Sequence, residues 1–144
     1  MIAFYALIVS FIVFEGLGIV GISHFQEWQH SLQAAVAVMF LLGASTHWGS
    51  KRPDMIRMVP PAFPRPDWII TITGVLEIAG AIGILFDATS RAASIGLAVL
   101  LIAMFPANVF AAKKKLTIGG KPVTGLLVRT IIQLIFIAAV LLAG

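Results

Sequence analysis

Long apolar runs broken by short polar segments set the pattern of the chain. Crossing about 30 Å of hydrocarbon at 1.5 Å per residue takes about 20 residues of helix. Five runs approach that length: 2–23, 32–48, 68–86, 92–112 and 123–144. The first is interrupted by Glu15 alone, the third by Glu77 and the fifth by Arg129, while the fourth carries no charge. The pattern predicts an all-α, polytopic membrane helical bundle of five transmembrane helices in one domain, residues 1–144. A cleaved leader would begin with a basic segment and a shorter apolar stretch, so the first run is predicted to be a retained helix.

Between the second and third runs, Pro60, Pro61, Pro64 and Pro66 crowd one short segment. Proline sets its own φ and biases the preceding residue towards extended backbone, so this stretch is predicted to be a stiff, extended strap. Met55, Ile56, Met58, Val59 and Phe63 make it apolar enough to lie at the membrane interface or to cap one end of the bundle. Trp48 and Trp68 flank it at the depth of an aromatic belt, and Trp28 sits in the opposite loop.

Composition agrees with the pattern. Of 144 residues, 60% are hydrophobic and 11% charged, and mean hydropathy is +1.04. Soluble domains average about a quarter charged residues, and this chain has too few polar groups to cover a surface in water. The absence of cysteine removes disulfides, thiolate metal sites and cysteine nucleophiles. The net charge of +4 is an orientation signal, with no continuous basic face for nucleic acid. With five alternating helices, Lys51, Arg52, Arg57, Arg65, Lys113, Lys114, Lys115 and Lys121 fall on one side and Arg91 on the other. The positive-inside bias puts the N-terminus in the cytoplasm and the C-terminus outside.

Polar side chains within the runs are costly, about 2.5–3.5 kcal/mol each for charged groups on the insertion scale, and usually face the protein interior. His47, Asn108 and Arg129 fall within roughly 5–10 Å of the cytoplasmic boundary, Glu77 and Gln133 at about 15 Å and Glu15 at about 20 Å. Helical spacing lines up Gly125, Arg129 and Gln133, then Thr73, Glu77 and Gly80, then Gly43, Thr46 and His47. Pro106 should bend the fourth run beside Asn108. Two readings compete. In the structural one, Glu77 and Arg129 neutralise each other while Asn108 and Gln133 bond neighbouring helices. In the functional one, the groups converge on one chamber near the inner leaflet that receives a lipophilic ligand. Glu15 is set aside as a neighbour contact.

Weaker signals end in bland readings. His24, Glu27 and His30 are spaced to hold a metal if helical, but such residues in an interfacial loop are usually just solvated, and no metal site is predicted. His47 lies about 30 Å from the outer histidines, too far for paired haem ligation. Gly119-Gly120 is a turn, and Lys113, Lys114 and Lys115 set topology or touch anionic headgroups.

The ordered set Phe40-Leu41-Leu42-Gly43, Thr46-His47-Trp48, Val59-Pro60-Pro61-Ala62-Phe63-Pro64-Arg65-Pro66, Thr73-Gly74-Val75-Leu76-Glu77-Ile78, Thr89-Ser90-Arg91-Ala92-Ala93 and Phe105-Pro106-Ala107-Asn108-Val109 resembles the DoxX-like family of small bacterial membrane proteins. The pattern runs over roughly 36–112, with a looser echo at Arg129 and Gln133. The resemblance implies a four-helix bundle in the bacterial plasma membrane, to which residues 2–23 add a fifth helix, and a family named for a subunit linked to quinone-dependent oxidation. It carries over His47, Glu77 and Asn108, and less closely Arg129 and Gln133. Trp48 stands where an aromatic, commonly Phe, follows the histidine.

The expected function is a site for a quinone-like lipophilic ligand reached from the inner leaflet. Asn108, Arg129, Gln133 and Thr73 would bind it, and Glu77 and His47 would act as catalytic proton carriers. A turnover reaction would be an oxidoreductase or isomerase step on a lipid-soluble substrate. The alternative is a non-catalytic anchor for soluble oxidoreductase or stress-response partners, using the basic inner loops. Membrane lipids are the expected surroundings, a homo-oligomer is compatible with the pattern, and nucleic acid is not expected as a partner.

Overall fold

The structure is a computed structural model that describes residues 2–21, 27–118, 121–122 and 125–144. Six helices carry the fold among these residues: α1 (Ile2–Ile19), α2 (Trp28–Ser45), α3 (Arg52–Met58), α4 (Pro66–Gly83), α5 (Ser90–Lys113) and α6 (Leu126–Ala143). Two strands of two residues, β1 (Thr117–Ile118) and β2 (Lys121–Pro122), pair antiparallel between α5 and α6.

The helices α2, α4, α5 and α6 close a ring in which each packs on the next and α6 returns to α2. On the outside of this ring α1 lies against α2, and Phe4 and Phe136 bring it to α6. Burial follows helical periodicity where a helix has neighbours on one side. In α4 the buried positions are Ile70, Gly74, Glu77 and Ala81, a single stripe. In α2, enclosed by α1, α4 and α6, Ser31, Gln33, Ala35, Val36, Ala37, Met39, Phe40 and Ala44 are all buried. The core runs from Val36 and Phe40 through Ala81 and Ile84 to Leu97, Leu101 and Val140.

The expected spans map onto these helices with shifted ends. Three of them, α4, α5 and α6, are long and apolar enough to cross a membrane, which makes the chain a membrane protein. Among the described residues five such helices are not found. In α1 the apolar stretch is the shorter Phe4–Ile19, and α2 begins earlier than expected with a polar turn, Gln29, His30, Ser31 and Gln33. Leu127, Ile131, Leu134 and Leu141 form an exposed stripe on α6 that suits contact with lipid.

Close approach of helices is set by glycine. A Cβ on Gly74 would stand 2.7 Å from Trp48 Cη2 and 3.1 Å from His47 Cβ, so only glycine lets the end of α2 rest on α4. Gly80 plays the same part against Leu97 of α5. The segment after α2 contains the unexpected α3, with Pro53 in its first turn, where a missing N–H does no harm. The proline-rich residues 59–65 are non-helical as expected, but they are not fully extended: the Phe63 N–H donates to the Pro60 carbonyl at 3.0 Å and closes a turn. Arg65, with φ of 51°, turns the chain into α4, whose first residue is Pro66.

Candidate functional site

At the end of α2 the chain leaves the helix at Thr46, and His47 sits in the following turn, 1% exposed. Its Nδ1 lies 2.7 Å from the Ile70 carbonyl oxygen of α4. A carbonyl only accepts, so Nδ1 carries a proton and donates it. The other ring nitrogen, Nε2, is 3.3 Å from Glu77 Oε2, on a side chain 7% exposed. Glu77 Oε2 is buried with no hydrogen-bond partner among the described residues. Pairing limits the cost of burying the two groups away from water. Gly43 lies beside Oε2, and a Cβ there would stand in ordinary van der Waals contact with it at 3.8 Å.

Thr73, one turn before Glu77, donates its hydroxyl to the Ile70 carbonyl at 3.1 Å and lies 3.4 Å from His47 Nδ1. Arg52 of α3 braces the same joint. Its guanidinium donates to the His47 carbonyl at 2.7 Å, to the Asp67 carbonyl at 3.1 Å and to Thr71 Oγ1 at 2.9 Å. Thr46 adds a contact to Met55 Sδ at 3.0 Å. Among the cationic residues, Arg52 read as a topology charge; the signal that marks it otherwise is its place one residue before Pro53, at the start of a helix.

A second polar joint connects α5 and α6. Arg129 Nη2 donates to Asn108 Oδ1, and Arg129 Nε is buried without a hydrogen-bond partner among the described residues. One helical turn further along, buried Gln133 donates from Nε2 to the Leu101 carbonyl. Leu101 precedes Ile102, whose carbonyl loses its helical donor to Pro106. Despite Pro106, α5 continues through Lys113.

Between the joints lies an apolar cleft of about 310 Å³, bounded by α3, the proline strap, α4 and α5. Met55, Met58, Val59, Phe63, Ile69 and Met104 form most of its wall, with Pro60, Ile70, Ala103, Pro106 and Ala107. Of the six residues singled out from sequence, Thr73 and Asn108 line it. His47 and Glu77 stand behind Thr73, Arg129 stands behind Asn108, and Gln133 faces the α5 backbone. One shared chamber was expected. Two side-chain joints flanking an apolar cleft are found, because the groups pair across adjacent helices before they reach the centre. The Glu77–Arg129 neutralisation of the structural reading is not found among the described residues: Glu77 faces His47, and Arg129 makes no ion pair there.

Other singled-out residues are placed elsewhere. Glu15 is half-buried in α1, with Oε1 buried and unbonded among the described residues. Glu27 and His30 lie 3.9 Å apart at the start of α2; His24 falls outside the described residues. Lys113, Lys114 and Lys115 are exposed, and Asp54 pairs with Arg57 on α3.

Together these features define a small helical membrane protein with a buried acid–imidazole pair beside an apolar cleft. The chain belongs to the family described as a domain of unknown function (DUF8561), whose model matches residues 36–143, from within α2 to the end of α6. No curated protein and no solved structure matches it.

Proposed function

We propose that the protein binds a lipophilic small molecule with a flat, carbonyl-bearing head, of quinone type, in the cleft between α3, α4 and α5, in a redox-linked role. The observation that carries this reading is the cleft itself: about 310 Å³ of mostly apolar wall with Thr73 and Asn108 as its polar groups. Binding sites for such molecules are mainly apolar pockets with a few placed polar groups. Three methionines, Met55, Met58 and Met104, supply flexible thioethers that adapt to a planar ring or a tail.

The His47–Glu77 pair gives the site a proton store one side chain from the wall. Thr73 Oγ1, 3.4 Å from His47 Nδ1, is the group through which that store would meet a ligand. Such a pair suits proton-coupled reduction or a proton-transfer isomerisation of the head group. In the same proposal the chain is DoxX-like, α1 and α2 join α4, α5 and α6 as membrane helices, the N-terminus is cytoplasmic and the membrane is the bacterial plasma membrane. The basic residues between α2 and α4 and after α5 support that orientation.

The test is extraction of the full chain in lipid nanodiscs, followed by mass spectrometry of lipid-soluble compounds that stay bound. The wild type is expected to retain a carbonyl-bearing compound, and Met104→Trp, which fills the cleft, is expected to lose most of it. Equal retention by both would overturn the binding reading and favour the anchoring one, in which Lys113, Lys114 and Lys115 hold a soluble partner.

A further inference from the structure

The contact between Arg129 and Asn108 determines more than a helix joint. A guanidinium has five N–H donors and no acceptor, so the Asn108 atom that meets Arg129 Nη2 is the amide oxygen, Oδ1. This chemistry removes the usual ambiguity between the two ends of an amide. With Oδ1 held, Nδ2 and its two N–H groups are the end left to a ligand, on a residue that lines the cleft. Arg129 itself does not line the cleft, and its charge is not engaged by a carboxylate among the described residues. Gln133, the other amide at the α5–α6 joint, is committed to the Leu101 carbonyl and does not compete for the same oxygen.

We infer that Arg129 is a positioning residue that clamps the Asn108 amide as a donor, so that the cleft prefers the carbonyl form of its ligand over the hydroxyl form. The inference rests on the binding reading above and deepens it. An unclamped amide can turn over, offering N–H to a carbonyl or its oxygen to a hydroxyl. The clamp removes that choice. A hydroxyl placed at Asn108 then has no acceptor for its proton, and a buried donor without a partner is penalised. Thr73 Oγ1 is the same in either case, so any change in preference on altering Arg129 reports the clamp.

The experiment measures binding of a decyl-substituted 1,4-benzoquinone and its hydroquinone to the full chain in nanodiscs, without oxygen. The wild type is expected to bind the quinone about fivefold more tightly, the worth of one net hydrogen bond. Arg129→Leu is expected to bind both forms about equally. Arg129→Lys, which still donates to Oδ1, is expected to keep the preference. Asn108→Asp, which replaces the NH₂ by an acceptor, is expected to lower the ratio below one and keeps the test alive if Arg129→Leu does not fold. A wild type that binds both forms alike, or an Arg129→Leu that keeps the wild-type ratio, overturns the clamp and leaves the binding reading standing. A wild type that binds neither form overturns both.

Discussion

The two ends of the four-helix ring use polar side chains differently. Where α6 ends, the side chains that bond to its last turn are neutral donors and their acceptors are backbone carbonyls. Gln33 Nε2 donates to the Ala143 carbonyl at 2.9 Å, Gln29 donates to the Ala143 and Gly144 carbonyls at 3.3 and 3.2 Å, and Ser94 Oγ donates to the Val140 carbonyl at 2.8 Å. These bonds satisfy carbonyls that the last turn of any helix leaves without partners. At the opposite end, beside α3, the groups are ionisable and incompletely satisfied: Glu77 Oε2 and Arg129 Nε have no hydrogen bond among the described residues. Neutral caps fully matched to carbonyls explain themselves as structure. Ionisable groups left partly unmatched beside a cleft are costly as structure alone, and that difference is what favours the proposed site at the α3 end.

The sharpest way to break this contrast is His47→Leu. Removing one partner of a buried pair leaves Glu77 without compensation, and a loss of about 3–5 kcal/mol is expected in unfolding measurements in bilayers or detergent. The double variant His47→Leu with Glu77→Leu should recover most of it; if His47→Leu alone is silent, the pair is not an energetic unit. A smaller effect is expected from Gly74→Ala. Its methyl would press on the His47 ring carbon and Trp48, and overpacking typically costs about 1–3 kcal/mol. Because that substitution displaces His47, Met104→Trp should be read beside it: it fills the cleft without touching the pair, so ligand retention should fall while the joint stays intact.

Smallest of all should be the changes at the α6 end. Ser94→Ala and Gln33→Leu each remove one neutral bond, and interhelical hydrogen bonds in membranes average about 0.6 kcal/mol. Gln29 still reaches the Ala143 carbonyl when Gln33 is replaced. Thermal unfolding and ligand retention should both stay near wild type. A large loss of bound ligand from either variant would erase the division between a structural end and a functional end.

Much of this was readable from residue order. Apolar runs located the helices, because burying or exposing to lipid some 18 consecutive nonpolar residues leaves few other folds. The proline cluster marked the non-helical strap, because proline has no N–H to give a helix and biases the residue before it. The cost of polar atoms in hydrocarbon singles out His47, Glu77, Asn108, Arg129 and Gln133, with Glu15 set aside, and helical spacing adds Thr73 to Glu77's face. Helix ends were less legible: α2 starts in a polar turn that hydropathy places outside the membrane, yet its neighbours α4 and α6 enclose it. The short α3 was hidden because seven residues give too little periodicity to separate a helix from an apolar loop.

Partnership was decided by tertiary structure. Periodicity places Glu77 and Thr73 on one face of α4 and Arg129 and Gln133 on one face of α6, but the partner each face meets depends on how the helices rotate and cross. The contacts at Gly74 and Gly80 help set those crossings, so Glu77 meets a histidine from the turn after α2, and Arg129 meets an amide of α5. The order of residues thus determined which atoms had to be sheltered from lipid, since that cost belongs to each side chain. Which atoms shelter one another, and which of them a ligand meets, followed from helix packing, a property of neighbours distant in the chain.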